Sequence, residues 1–172
     1  MLAIAPLDHP ALRNVAHPVS AFHVSLSELA GGMNAIRAEH GGVGIAAPQV
    51  GVSLRLFVID DRLPDGSKSD RYGDRRVEPM VVVNPEVPWR SDDVEDGEEG
   101  CLSLPSTLGA DGERRLVPRP TAIEYRGCNL EGASIGGRLE GFMARVFLHE
   151  LDHLDGLLID RYPVATRNTG SA

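Results

Sequence analysis

Cysteine is scarce in this chain of 172 residues: there are two, Cys101 and Cys128. Two cysteines make no disulfide framework, so reduced thiols and a cytoplasmic setting are expected. Long apolar runs are missing as well. No stretch approaches the roughly 20 residues that a membrane helix needs. The opening Met1 to Pro10 carries neither a basic stretch nor a long apolar one, so no signal peptide and no membrane association are expected. Basic residues are in deficit, 17 against 25 acids, for a net charge of −8. That balance disfavours a protein whose main work is gripping phosphate backbones, so no stable nucleic-acid binding is expected. No repeat, low-complexity tract or linker divides the chain. What is present suffices for one core: 42% of residues are hydrophobic. This excludes a disordered chain and predicts one domain over residues 1–172, with a flexible tail from about 164.

The charge is uneven. Six of the acids fall in Asp92-Asp93-Val94-Glu95-Asp96-Gly97-Glu98-Glu99, with no base among them; without those six the net charge is −2. Such a run reads as a solvated loop, yet it leads straight to Cys101.

Apolar periodicity predicts a helix from Ser25 to His40. Ser25 and Glu28 fit a capping box, and Leu26, Leu29, Met33 and Ile36 share a face. Leu54 to Ile59 and Met80 to Val83 read as strands, the second stopped by Asn84-Pro85. Asp60 to Arg76 reads as an exposed loop, and Thr121 to Arg126 alternates as a strand does. Gly141 to Asp155 reads as a helix with Phe142, Val146, His149 and His153 along one face. Strands that precede a late helix, without regular alternation, indicate an α+β fold.

That late helix carries His149-Glu150-Leu151-Asp152-His153, an H-E-x-x-H pattern. On a helix the two imidazoles project from one face and can share a metal, with Glu150 beside them to handle a proton. A third ligand is needed. The position where a third His would follow the helix is Ile159, and no Glu follows Glu150. Asp152, Asp155 and Asp160 are too near the helix or its exit to close the site easily. The third ligand therefore lies upstream, among Cys101, Cys128, His9, His17, His23 and His40. A thiolate is the strongest donor of these once a metal lowers its pKa. A metallopeptidase and a non-catalytic metal-binding module both fit the pattern alone.

Three stretches together resemble the peptide deformylase family. Gly42-Val43-Gly44-Ile45-Ala46-Ala47-Pro48-Gln49 is similar to its G-x-G-[LI]-A-A-x-Q, and Glu99-Gly100-Cys101-Leu102-Ser103 to its E-G-C-L-S. His149-Glu150-Leu151-Asp152-His153 is similar to its H-E-x-D-H, and order and spacing also match. His9-Pro10-Ala11-Leu12-Arg13 with Pro18-Val19, and Leu116-Val117-Pro118-Arg119, resemble further family stretches. The likeness runs from about residue 5 to about residue 163, and three motifs in register are highly specific. Two departures stand out. Leu148 occupies a position where the family commonly has Gln, and Ser106 to Glu113 is longer than in compact members.

The resemblance implies an α+β fold with mixed or antiparallel strands around a central H-E-x-x-H metal-binding helix. It implies a hydrolase that removes the formyl group from the N-terminal formyl-methionine of new polypeptides and releases formate. Cys101, His149 and His153 would hold one divalent ion, usually Fe2+, with Zn2+, Ni2+ or Co2+ able to replace it in purified protein. Glu150 would shuttle the proton, while the Gln49 amide and the Leu102 backbone N–H would face the developing oxyanion. Phe142 and Val146 would line a pocket for methionine. Backbone at Val43, Gly44 and Gly100 would pair with the extended peptide. Arg114 or Arg119 would contact peptide carbonyls or brace Glu99. The partners implied are nascent formyl-methionyl chains, with room for transient ribosome contact. The tail from Arg161 to Ala172 has no helical pattern that would make a docking element.

Overall fold

The computed structural model describes residues 2–69, 73, 75, 77–108 and 112–166. Among them are two α-helices, α1 (Val24–Glu39) and α2 (Gly141–Leu154), and seven strands. The strands are β1 (Gly44–Ala46), β2 (Leu56–Ile59), β3 (Met80–Arg90), β4 (Val94–Glu99), β5 (Arg115–Pro120), β6 (Ala122–Cys128) and β7 (Ser134–Glu140). Five form an antiparallel sheet in the order β1-β2-β3-β6-β7, and β4 and β5 form a separate antiparallel ribbon. The fold is α+β. No helix is long and apolar enough to cross a membrane.

Side-chain alternation explains the layering. Successive residues of a strand face opposite sides of the sheet. In β2, Leu56 and Val58 join Leu26, Ala30, Met33 and Ile36 of α1, whereas Phe57 and Ile59 join Ala144, Phe147 and Leu151 of α2. A strand covered on both faces reads as a continuous apolar run, as Leu-Phe-Val-Ile does. Within the core, Phe57 and Phe147 have ring centroids 4.9 Å apart and nearly perpendicular planes, the edge-to-face geometry that ring quadrupoles favour. The far side of α2 meets the β4–β5 ribbon, so α2 runs between two strand systems.

Several expectations change. Asp92 and Asp93 apart, the acidic run is not a loop: Val94–Glu99 is strand β4, laddered to β5 with Glu95 opposite Arg119 and Gly97 opposite Val117. Glu95, Asp96 and Glu98 all stay exposed, and the one buried acid, Glu99, is ion-paired, which lets a charged segment be a strand. Asn84-Pro85 does not stop β3. The strand continues to Arg90 with register shifts between Val83 and Trp89, and Asn84 adopts φ +50°. A bulge tolerates proline because it lies outside the regular ladder. The Asn84 side chain there accepts from the Val19 N–H and donates to the Val19 carbonyl. The Ser25–Glu28 capping box does not form. α1 begins one residue earlier with His23 as N-cap, and Ser25 Oγ pairs with the His23 ring instead. Parts of the expected 60–76 and 106–113 loops, and the tail beyond 166, lie outside the described residues.

Candidate metal centre

α2 is apolar on the face toward the sheet, and its opposite face carries Arg145, His149 and Asp152 toward the ribbon. Helical spacing sets His149 and His153 one turn apart, their ring centroids 5.0 Å from each other. Cys101 arrives from the turn after β4, its backbone N–H held by Thr107 Oγ1 at 2.8 Å. Its Sγ lies 3.3 Å from His153 Nε2. One donor atom from each of Cys101, His149 and His153 lies within 4.8 Å of the others. Of the upstream candidates, Cys101 is the one gathered with both histidines. His9 caps the Ala11 N–H, His40 contacts the Ile36 carbonyl, and Cys128 sits on β6 opposite Ser134. The three aspartates around the helix exit each meet an arginine: Asp152 meets Arg119, Asp155 meets Arg55, and Asp160 meets Arg13.

The two imidazoles differ electrostatically. Burial works against a charged His149, but its contacts with Cys101 and Glu99 outweigh it and hold its pKa well above the usual value. His149 Nδ1 lies 2.8 Å from Glu99 Oε2; with Nδ1 engaged there, Nε2 is the nitrogen left for a metal, whose binding would displace its proton. Burial, reinforced by the positive charges of His149 and Arg119, pushes His153 well below the usual value. His153 is thus a neutral donor, and its buried Nδ1 has no partner among the described residues. One sulfur and two imidazole nitrogens form a soft, three-donor set suited to a divalent transition ion and leave a position open.

Glu99 is the hub on the ribbon side. Arg119 donates to both its oxygens at 3.0 Å, and Arg145 adds a second bond to Oε1 at 2.9 Å. Burial works to raise the Glu99 pKa, but hydrogen bonds from His149 and Arg119 prevail and keep the carboxyl far below the usual range. Of the two roles considered for Arg119, the bracing of Glu99 is the one observed; Arg119 continues to Asp152 at 2.8 Å. Arg145 was not singled out from sequence, although it stands one helical turn before His149. Its guanidinium also meets the Val117 and Glu95 carbonyls. It lies over Gly97, where a Cβ would come within 2.5 Å of it.

Glu150 is 3% exposed, and one of its oxygens has no partner among the described residues. Burial pushes its carboxyl up to about 7; a cation at the three donors would act in the opposite direction. Gly44 lies flush against it: a Cβ there would fall 2.2 Å from Glu150 Oε1. Gln49, 1% exposed, accepts the Ala46 N–H on Oε1 at 2.8 Å. That bond turns Nε2 toward Ser103 Oγ at 3.2 Å and Cys101 Sγ at 3.6 Å.

A cavity of about 450 Å³ opens onto this cluster. Val43, Gly44, Gly100, Leu102 and Arg114 line it, as do Phe142 and Val146 of α2. Gln49, Cys101, His149 and Glu150 also reach it, whereas His153 is 1% exposed and lies off the lining. Arg75 and Glu98 line it too and were not anticipated; Arg75 stacks over the Phe142 ring at 4.9 Å. Leu148, the departure from the family pattern, is buried in the α2 core.

The sequence model of the polypeptide deformylase family matches residues 1–168. The chain belongs to this family. Peptide deformylase 2 of Shewanella oneidensis is 43% identical over 159 residues, 92% of this chain and 82% of that protein. The crystal structure of peptide deformylase from Thermotoga maritima has a TM-score of 0.79 at 35% identity, covering 96% of this chain and 99% of that one. A deformylase of Acinetobacter baumannii, solved with Met-Ala-Ser bound, has a TM-score of 0.78 at 35% identity, covering 95% and 98%. Membership of the deformylase family accounts for the three motifs converging on one cavity.

Proposed function

We propose that this chain is a peptide deformylase, a metal-dependent hydrolase that removes the formyl group from the N-terminal formyl-methionine of new polypeptides. The observation that carries this reading is the convergence of a Cys-His-His cluster, a buried Glu and a glutamine amide on one cavity, in a chain of the deformylase family.

Cys101, His149 and His153 are the residues that would hold a divalent ion, ferrous iron in the cell, with zinc, nickel or cobalt as replacements after purification. Such an ion would supply an acidified water and polarise the formyl oxygen. The remaining work falls to side chains. Glu150 takes a proton from the attacking water and delivers it to the departing amine. Its enclosure keeps that proton from bulk solvent. The Gln49 Nε2 protons and the Leu102 N–H are the donors assigned to the developing oxyanion. Phe142 and Val146 receive the methionine side chain. Val43, Gly44 and Gly100 pair with the peptide backbone, and Arg114 contacts it near Gly100. The whole chain acts as one unit, in the cytoplasm, with brief ribosome contact.

The deciding measurement is formate release from formyl-Met-Ala-Ser by metal-loaded protein, run beside cleavage of an internal peptide bond. Formate without peptide cleavage is expected. Metal-loaded protein that yields no formate would refute this reading, and cleavage of the internal bond would favour a metallopeptidase.

A further inference from the structure

One strongly basic side chain is buried away from the cluster and takes no part in the proposed chemistry. Arg37, in the last turn of α1, is 1% exposed. An enclosed guanidinium is costly unless its donors are satisfied. Its Nε donates to Asn34 Oδ1 at 2.8 Å, its Nη1 to the Gly42 carbonyl at 2.7 Å, and its Nη2 to the Arg62 carbonyl at 2.6 Å. The Gly42 N–H in turn donates to the Arg37 carbonyl at 2.9 Å. Both polar ends of residue 42 are therefore held by Arg37, one by its backbone and one by its side chain.

Residue 42 is a strategic place for such a clamp. Gly42, Val43 and Gly44 line the cavity. They lead into β1, an edge strand of the five-stranded sheet. The inner side of this segment is occupied: Val43 accepts the Asp60 N–H at 2.9 Å, and Gly44 lies opposite Ile59. An edge strand beside a cavity is the geometry that adds an extended peptide as a further strand. The Leu102 side chain closes in on the same residue, 3.0 Å from where a Gly42 Cβ would stand. Arg37 grips the segment from behind, and Arg62, just past β2, ties the grip to the neighbouring strand.

We propose that Arg37 is a positioning residue for peptide binding: its fork, anchored by Asn34, sets the carbonyl of Gly42 and with it the strand edge that pairs with residues after the formyl-methionine. The proposal rests on the peptide-pairing role assigned above to Val43 and Gly44. It does not involve the metal donors. A methionine of similar length at this position would fill the space but leave two carbonyls unpaired, and a lysine offers a single point donor in place of the fork.

The test compares formyl-Met-Ala-Ser, which has downstream peptide groups, with formyl-Met, which has none, using the metal-loaded full chain. In Arg37→Met the KM for formyl-Met-Ala-Ser rises about tenfold while its kcat changes less than about threefold. The kcat/KM for formyl-Met stays within about twofold, and bound metal is unchanged. Arg37→Lys restores only part of the loss. Asn34→Ala, which removes one anchor and leaves the cation in place, shows the same pattern at about a third of the size, and decides the matter if Arg37→Met does not fold. Equal losses on both substrates, or a lowered Tm with KM unchanged on both, overturn the proposal. A wild-type protein that yields formate from neither substrate fails the functional reading itself, a result separable from the first two.

Discussion

The two sides of α2 are built from different physics. Toward the sheet the helix presents Ala144, Phe147, Leu151 and Leu154, packed against Phe57, Val82 and Ile123. Toward the ribbon it presents Arg145, His149 and Asp152, joined through Glu99 and Arg119 in one charged network. The apolar side gains free energy from area removed from water and is nearly indifferent to direction. The charged side gains little net stability, because desolvating ions offsets most of their attraction. It gains orientation instead: Glu99 is held at once by Arg119 of β5 and by Arg145 and His149 of α2. One helix is thus fastened on one face and aimed on the other.

Mutations can break this division. The largest effect belongs to Glu150→Gln, which keeps shape and removes the proton carrier. Formate release should fall by about 10²–10⁴ with metal content unchanged; loss of metal instead would make Glu150 a structural group. Next come two changes of similar cost and different kind. Phe147→Ala should destabilise by about 3–5 kcal/mol in denaturant unfolding, with normal turnover in whatever remains folded. Arg119→Met should also cost about 3–5 kcal/mol, since Glu99 and Asp152 lose a buried partner, and should lower turnover per folded molecule as well. If Arg119→Met affected stability alone, the aiming role of the charged face would be wrong.

Gly44→Ala comes third. The added methyl displaces Glu150, and a shift of that order costs about a hundredfold in turnover, with a smaller loss of stability. The smallest effect is reserved for an exposed control, the pair Arg13–Asp160. The hydrogen bond from Arg13 holds the Asp160 pKa below its ordinary value. A depressed folded pKa means stability that is present above the unfolded value and lost as pH falls through the folded one. Arg13→Gln should therefore lower the Tm a little at pH 6 and above and change it less at pH 3, which narrows the gap between the two. A large change would show that exposed pairs weigh as much as the enclosed network.

Local rules made some of this legible in advance. A helix repeats every 3.6 residues, so His149, Glu150 and His153 carry their mutual geometry within five letters. Apolar spacing located both helices within about a residue. The missing Glu after position 150 and the absent His at 159 point upstream for a third ligand, and the family likeness points to Cys101. Gly44 and Gln49 were recognised as belonging to the same site.

Tertiary structure decided what depends on neighbours distant in sequence. Whether Val94 to Glu99 was loop or strand turned on Arg115 to Pro120, which offers β4 its only ladder partner among the described residues; no local pattern distinguishes a charged loop from a charged strand. Asn84-Pro85 looked like a stop because a lone strand cannot show that a bulge will accommodate it. Arg145 and Arg37 were invisible as working residues, since an arginine reads as solvated until its burial is known. Composition alone thus showed that the chain could bury a core. Long-range contacts settled which charges were enclosed, because the worth of an ion depends on where water has been removed.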